Sequence, residues 1–256
     1  STASSDFQLV DEFGPVNMIQ NGGFYEYEFI DQEAEPHKEV YFYRVYAYDL
    51  CDQLFDTSNT SNNIYLQGTP EIDFFNNLRW NSYADWLGGV DGYDILRLIP
   101  DEDLAYVPLN RLGANSVVYA DDIKNFTDND GLYRYLVQAV EGAGNPAGFS
   151  DTSLSNAVDV IQQPRVFMPT AFMPLGVNRL LQPKGVFIEE RAGYLFEIYN
   201  RWGELIFATN DFTKAWDGRH AGSGEYVDPG VYVFVMDFIG KNGKAYKQNG
   251  TFTVIR

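Results

Sequence analysis

An internal repeat narrows what this chain can fold into more than any other feature of it. The run Val40-Tyr41-Phe42-Tyr43-Arg44-Val45-Tyr46-Ala47-Tyr48-Asp49 is matched by Gly131-Leu132-Tyr133-Arg134-Tyr135-Leu136-Val137-Gln138-Ala139-Val140-Glu141. Each copy leads through a polar loop to a related segment, Asp56-Thr57-Ser58-Asn59-Thr60-Ser61-Asn62 in the first and Asp151-Thr152-Ser153-Leu154-Ser155-Asn156 in the second. A short apolar strand follows both, Ile64-Tyr65-Leu66 and Ala157-Val158-Asp159-Val160. Apolar residues recur at every second position, the period of a half-buried strand. Equivalent positions about 90 residues apart mean two copies of one β-domain.

Composition points to the same all-β class. Aromatic residues make up 16% of the chain, with 18 Tyr and 19 Phe, and large rings suit half-buried strand faces better than helix surfaces. No window carries apolar residues at helical spacing between recognisable caps. A length of 256 residues suits two or three domains at roughly 100–200 residues each. The single cysteine, Cys51, rules out an internal disulfide; it follows a strand, which reads as a semi-buried structural thiol. No segment approaches the ~18–20 consecutive apolar residues of a membrane span. Ser1-Thr2-Ala3-Ser4-Ser5 lacks the basic and apolar regions of a signal peptide, so the chain reads as a mature fragment or the tail of something longer.

Charge divides the chain. The net formal charge is −18, which argues against nucleic acid, whose phosphates would be repelled. Residues 165–256 hold 11 Lys+Arg against 9 Asp+Glu, or +2, which leaves 7 against 27, or −20, for residues 1–164. Such asymmetry marks parts with different tasks: an acidic, solvated body and a near-neutral terminal module suited to meeting another surface.

Catalysis has little to work with. His37 and His220 fall in different domains, each in a polar loop, and Cys51 has no histidine near it in sequence. No nucleophile elbow, zinc-protease motif or phosphate loop occurs. Asp128-Asn129-Asp130-Gly131 offers oxygens at short spacing but lacks the further ligands and bidentate glutamate of a calcium loop, and Asp121-Asp122 is weaker still. The expectation is no enzyme, no cofactor and no metal site.

The second repeat copy carries further landmarks: Leu78-Arg79-Trp80 supplies a strand with a core tryptophan, Val90-Asp91-Gly92-Tyr93-Asp94-Ile95-Leu96-Arg97 the next strand, and Ser116-Val117-Val118-Tyr119-Ala120-Asp121 the one before the repeat. Together with the Tyr-x-Tyr/Arg-Val-x-Ala pattern and the Ser-Asn near the last strand, these resemble the fibronectin type III sandwich. That copy is complete over about 69–163. The first copy, within 1–68, lacks a Trp-bearing strand and reads as the C-terminal strands of a truncated module. From Gln163-Pro164 onward, Pro164, Pro169, Pro174 and Pro183 interrupt the alternation, as in an extended or edge-strand entry into a new domain.

The remaining residues, 164–256, hold their own ordered motifs. Phe196-Glu197-Ile198-Tyr199-Asn200-Arg201-Trp202-Gly203-Glu204-Leu205-Ile206-Phe207 is two short apolar strands around a turn, where Asn200 and Gly203 tolerate the positive φ of tight hairpins. Trp216-Asp217-Gly218 follows, reading as a buried ring, a carboxylate that accepts from the turn backbone, and a glycine with an unusual dihedral. Pro229-Gly230-Val231-Tyr232-Val233-Phe234-Val235-Met236 and Gly250-Thr251-Phe252-Thr253-Val254-Ile255-Arg256 complete the set. In this order the blocks resemble the gliding-motility-associated C-terminal domain, the type B sorting domain of the type IX secretion system, a small β-sandwich. The family opening falls on Val166-Phe167-Met168-Pro169-Thr170-Ala171-Phe172-Met173-Pro174. There the chain departs from the pattern, with Pro174-Leu175-Gly176-Val177-Asn178-Arg179 in place of an acidic Pro-Asn-Gly-Asp-Gly-like loop, which puts any cation role of that loop in doubt.

The resemblance implies a secreted protein exported through the type IX translocon with its shuttle protein and held at the bacterial cell surface by a PorP/SprF-family outer-membrane protein. Gliding motility or adhesion is the implied setting, with the fibronectin-like modules as a stalk. Two alternatives stay open: the tail and spacers of a secreted polysaccharide-degrading enzyme, or acidic modules that bind extracellular glycans themselves. For the partner surface, the last strand is expected at a sheet edge, where Phe252 and Val254 would accept a strand from another protein. Arg201 and Arg256 would pair with acidic groups, and Trp202 at the hairpin tip would be the aromatic anchor. Trp202 and Phe252 have core readings as well.

Overall fold

The computed structural model describes residues 7–12, 14, 19–21, 24–26, 28–146, 148, 150–189 and 193–255; Arg256 lies outside them. The described residues form strands and no helix. The N-terminal stretch carries β1 (Ile19–Asn21), β2 (Phe24–Glu26), β3 (Phe42–Tyr43), β4 (Tyr46–Tyr48), β5 (Leu54–Thr57) and β6 (Ser61–Asn62). The middle stretch carries β7 (Leu66–Pro70), β8 (Phe75–Trp80), β9 (Val90–Leu98), β10 (Val107–Gly113), β11 (Val118–Asp122), β12 (Leu132–Glu141), β13 (Thr152–Leu154) and β14 (Val158–Ile161). The last stretch carries β15 (Arg165–Phe167), β16 (Ala171–Phe172), β17 (Lys184–Val186), β18 (Leu195–Tyr199), β19 (Leu205–Thr209), β20 (Gly230–Ile239) and β21 (Ala245–Val254). The protein is thus a series of small β-sheet modules.

Period two is obeyed most fully in β12. Tyr133, Tyr135, Val137 and Ala139 all point inward and are fully buried, while the residues between them stay part-exposed. Two sheets meet on that face, one ordered β11-β8-β7 and the other β10-β9-β12, with β13 and β14 both paired to β12. Trp80 and Tyr93 meet edge-on between them, ring centroids 5.7 Å apart. The layout resembles an immunoglobulin-like sandwich. Polar groups also cross the interior: Arg97 Nη1 donates to Asp121 at 2.8 Å, the Tyr135 hydroxyl donates to the same carboxylate at 2.7 Å, and Asn76 Nδ2 donates to the Tyr135 hydroxyl at 2.7 Å. Gln162 Nε2 extends the chain to Asn76 at 2.7 Å. Linking both sheets to the exit strand, this network pins their relative position.

Two assignments differ from the reading of the sequence. Ile64 and Leu66, expected to close the first repeat copy, are buried in the core of the middle module, where β7 pairs β8 from Leu66↔Trp80 onward. β10 went unread because its residues are mostly polar or exposed; it covers the free edge of β9. The first copy itself is one interrupted hairpin, β3 paired with β6 and, further along, β4 with β5. Its Phe42, Val45, Tyr46, Tyr48, Leu54 and Phe55 are exposed.

In the last stretch the main sheet runs β16-β21-β20-β18-β19. β21 was expected at its edge. It lies instead between β20, antiparallel along its whole length, and β16, which pairs it in parallel at Ala171↔Thr253 and Phe172↔Val254. The Thr253 and Ile255 N–H groups donate to the Thr170 and Phe172 carbonyls at 2.9 and 2.8 Å. At this end of β21 the Pro-rich entry segment therefore satisfies the backbone groups that an edge strand would have left open.

Candidate functional site

The core of this last domain is an aromatic cluster built around Trp216. Its ring contacts Phe172, Phe207, Tyr232 and Phe252 with centroids 5.4, 6.4, 6.2 and 6.0 Å away. Burying an indole leaves its N–H to be satisfied, and Trp216 Nε1 donates to the Arg219 carbonyl at 2.8 Å. Asp217 Oδ1 accepts from the Arg219 N–H at 3.1 Å. Gly218, at φ 86°, lies where a Cβ would come within 2.6 Å of Pro174. The tryptophan, the turn and the entry segment are thereby locked together.

Phe252 and Val254 belong to that core, each 1% exposed. Their side chains fill their own core, and the backbone beside them that a partner strand would have used is already bonded to Thr170 and Phe172. The diverged loop holds Leu175 and Val177 outward, and its Arg179 Nε donates to the Gly176 carbonyl at 3.0 Å.

The hairpin tip between β18 and β19 is different. Asn200 Oδ1 accepts the N–H groups of Trp202 and Glu204 at 2.9 and 3.0 Å, and the Gly203 N–H donates to the Asn200 carbonyl at 3.0 Å. Gly203 takes φ 80°, a conformation costly for a residue with a Cβ. This tight frame leaves Trp202 with 79% of its surface exposed and the Arg201 guanidinium 4.8 Å from the centre of its ring. His220 Nε2 lies 3.3 Å from Glu204 on the same tip.

Strand register continues this patch onto the outer face of the sheet. Ile198 is buried, so its neighbour Tyr199 faces out, paired with Leu205 on one side and Val233 on the other. Val231, two residues before Val233, is exposed on the same face. The surface combines an aromatic anchor, a cation stacked on it and a few aliphatic neighbours, the composition of a binding hot spot.

The other polar residues singled out in the sequence are structural. Asn129 Oδ1 accepts from the Gly131 N–H at 2.7 Å, and Asp130 pairs with Lys241 at 2.9 Å. Asp121 is engaged by Arg97 and Tyr135, and Asp122 lies 3.4 Å from Lys124. Among the described residues no group of three or more His, Cys, Asp or Glu could hold a metal ion. Cys51 is exposed, not semi-buried, because it sits on the turn between β4 and β5, where the Asp49 Oδ1 accepts its N–H at 2.8 Å. His37 is exposed.

Residues 168–254 match a family model described as the CHU_C Type IX secretion signal domain. The chain therefore ends in a type IX secretion sorting domain preceded by all-β modules, which indicates export to the bacterial cell surface and engagement with the type IX translocon system. The matched domain is a signal and not a catalyst. No curated protein matches the chain. Among solved structures, the crystal structure of chicken CNTN1 FN1-FN3 domains is similar over 74% of this chain and 67% of that one, with 13% identity and a TM-score of 0.29.

Proposed function

We propose that this chain is the C-terminal region of a secreted cell-surface protein of the adhesin or gliding-motility type. Residues 164–256 act as a type B sorting domain, read by the translocon and its shuttle protein and then held by a PorP/SprF-family outer-membrane protein. Residues from about 64 to 163 are a fibronectin type III-like stalk module, its first strand including Leu66, and the residues before them hold the last strands of a preceding one. The observation that carries this reading is the secretion signal match over residues 168–254. It is joined by an outward-facing tip whose Trp202 contributes nothing to the domain's own core.

Recognition on this reading runs through Trp202 and Arg201. An exposed indole costs free energy only when it stays in water, so an apolar pocket on the partner would gain its whole buried area. Arg201 adds a charge that can meet a carboxylate at the pocket rim. The test is export of a reporter carrying an inner-membrane export signal and residues 164–256, in a type IX host that also makes the cognate outer-membrane partner. Surface display is expected; retention of the reporter in the periplasm would refute the sorting assignment.

A further inference from the structure

Two non-glycine residues with positive φ meet each other at the junction of the middle module and the sorting domain. Phe74, at φ 61°, precedes β8; Phe187, at φ 57°, follows β17. Their rings are edge-on, centroids 6.3 Å apart. A left-handed conformation is costly for a phenylalanine and persists only where the surroundings compensate. Phe74 packs against the core of its own module, and Phe187 reaches that same core from across the junction. Phe187 is 3% exposed and lies in the middle module's core, not in that of its own domain.

The socket is shaped for that ring. A Cβ at Gly131, itself at φ 76°, would come within 2.9 Å of the Phe187 ring. On the other flank Arg165 stacks over Phe74 at 5.2 Å. Lys241 closes the contact: its N–H donates to the Phe187 carbonyl at 2.8 Å, and its ammonium reaches Asp130 at 2.9 Å and Glu189 at 3.8 Å. A ring, a glycine cleared for it, a cation on an aromatic face and a cross-body ion pair converge on one small area.

We propose that the module ending near residue 163 grips the sorting domain through Phe187 and so fixes the direction in which the Trp202 tip points. The strand geometry gives that grip its use. Lys241 follows the end of β20, whereas the tip adjoins Tyr199, paired with Val233 near its start. At ~3.3 Å per residue the eight residues between them span about 26 Å, so the docked end and the exposed tip occupy opposite ends of the sheet. A hinged domain could turn its tip back toward the stalk; a gripped one holds it outward. The assignment of the tip as the recognised end rests on the sorting reading above, whereas the grip does not.

The full chain is the material for the test. Scanning calorimetry should show the middle module and the sorting domain melting together, and the join at residues 163–169 should resist limited proteolysis. Phe187→Ala should split the melt in two and speed cleavage of the join at least about tenfold, the factor that corresponds to 1.4 kcal/mol of lost docking. Phe187 is outside the sorting domain's own core, so both halves should keep their circular dichroism. Gly131→Val, which obstructs the socket from the module side, should reproduce the split. Independent melting in the unaltered chain, or a Phe187→Ala protein with unchanged melting and cleavage, would overturn the grip. None of these readouts depends on export, so a failure of the sorting assignment would appear separately, in the display of the reporter.

Discussion

The indole N–H of Trp216 donates to the carbonyl of Arg219 at 2.8 Å, and that short link lets the buried tryptophan of the sorting domain sit at the centre of an aromatic cluster without an orphaned donor. Replacing Trp216 with Ala removes the ring from contact with Phe172, Phe207, Tyr232 and Phe252. A loss of about 3–5 kcal/mol is expected in chemical denaturation of the full chain, and surface display should fail with it. A variant that remained as stable as the parent would show that the cluster is not the domain's core.

Trp202→Ala should behave in the opposite way. Its ring is exposed and makes its one described ring contact with Arg201, and surface substitutions of that kind shift stability by less than about 0.5 kcal/mol. Binding to the proposed outer-membrane partner should fall by about a hundredfold, as expected for an aromatic hot spot worth ~2–3 kcal/mol. Melting and partner binding are measured on the same preparation. Lost stability alongside lost binding would return Trp202 to a structural role.

At the same tip, Gly203→Ala is expected to cost roughly 1–2 kcal/mol, because φ 80° is unfavourable for any residue with a Cβ. Asn200→Ala removes the acceptor of the Trp202 and Glu204 N–H groups and should cost about 1–2 kcal/mol. Denaturation midpoints for the two variants check both figures. If Asn200→Ala is neutral, the turn frame is held by its backbone bonds alone.

Inside the middle module, Asp121→Asn should destabilise by about 3–5 kcal/mol, since it leaves the Arg97 guanidinium buried without its counter-charge. A double variant, Arg97→Met with Asp121→Leu, removes both charges and should recover most of that loss. Urea midpoints for the single and double variants decide the point; equal losses in both would place the cost in packing instead.

The acid limb of stability has an identifiable contributor. Arg134 holds the Asp159 carboxyl below its ordinary value, chiefly through the direct hydrogen bond, with Nε to Oδ1 at 2.6 Å. A depressed carboxylate stabilises the fold above its unfolded value near pH 4, and the contribution disappears as pH falls through the lower folded value. Both side chains are about 40% exposed, so solvent screening limits the effect to under about 1 kcal/mol. Asp159→Asn should flatten the stability profile below about pH 4 and leave its shape unchanged above pH 6. An unaltered acid limb would exclude this pair as its source.

Much of the architecture was legible because period two is a local property. The alternation in Leu132–Glu141 names its buried face before any partner is known, and the order of Asn200, Gly203, Trp216, Asp217 and Gly218 carries its turn chemistry along the chain. What alternation does not state is which body lies against a given face or edge. Ile64 and Leu66 follow the first copy in sequence yet fill the second module's core, and Phe187 follows the join yet is buried on the near side of it. The strand Ala245–Val254 reads as an edge because it comes last; only the return of Ala171–Phe172 alongside it covers its C-terminal end, at Thr253 and Val254. Asp130 and Gly131 resembled a turn or a weak cation loop until Lys241 and Phe187 were brought to them across more than fifty residues. The sequence by itself determined strands, turns and the sorting motif, because those depend on dihedral preference and neighbouring side chains. The tertiary structure decided edges, burial and the grip between bodies, because those depend on contacts that chain order does not encode.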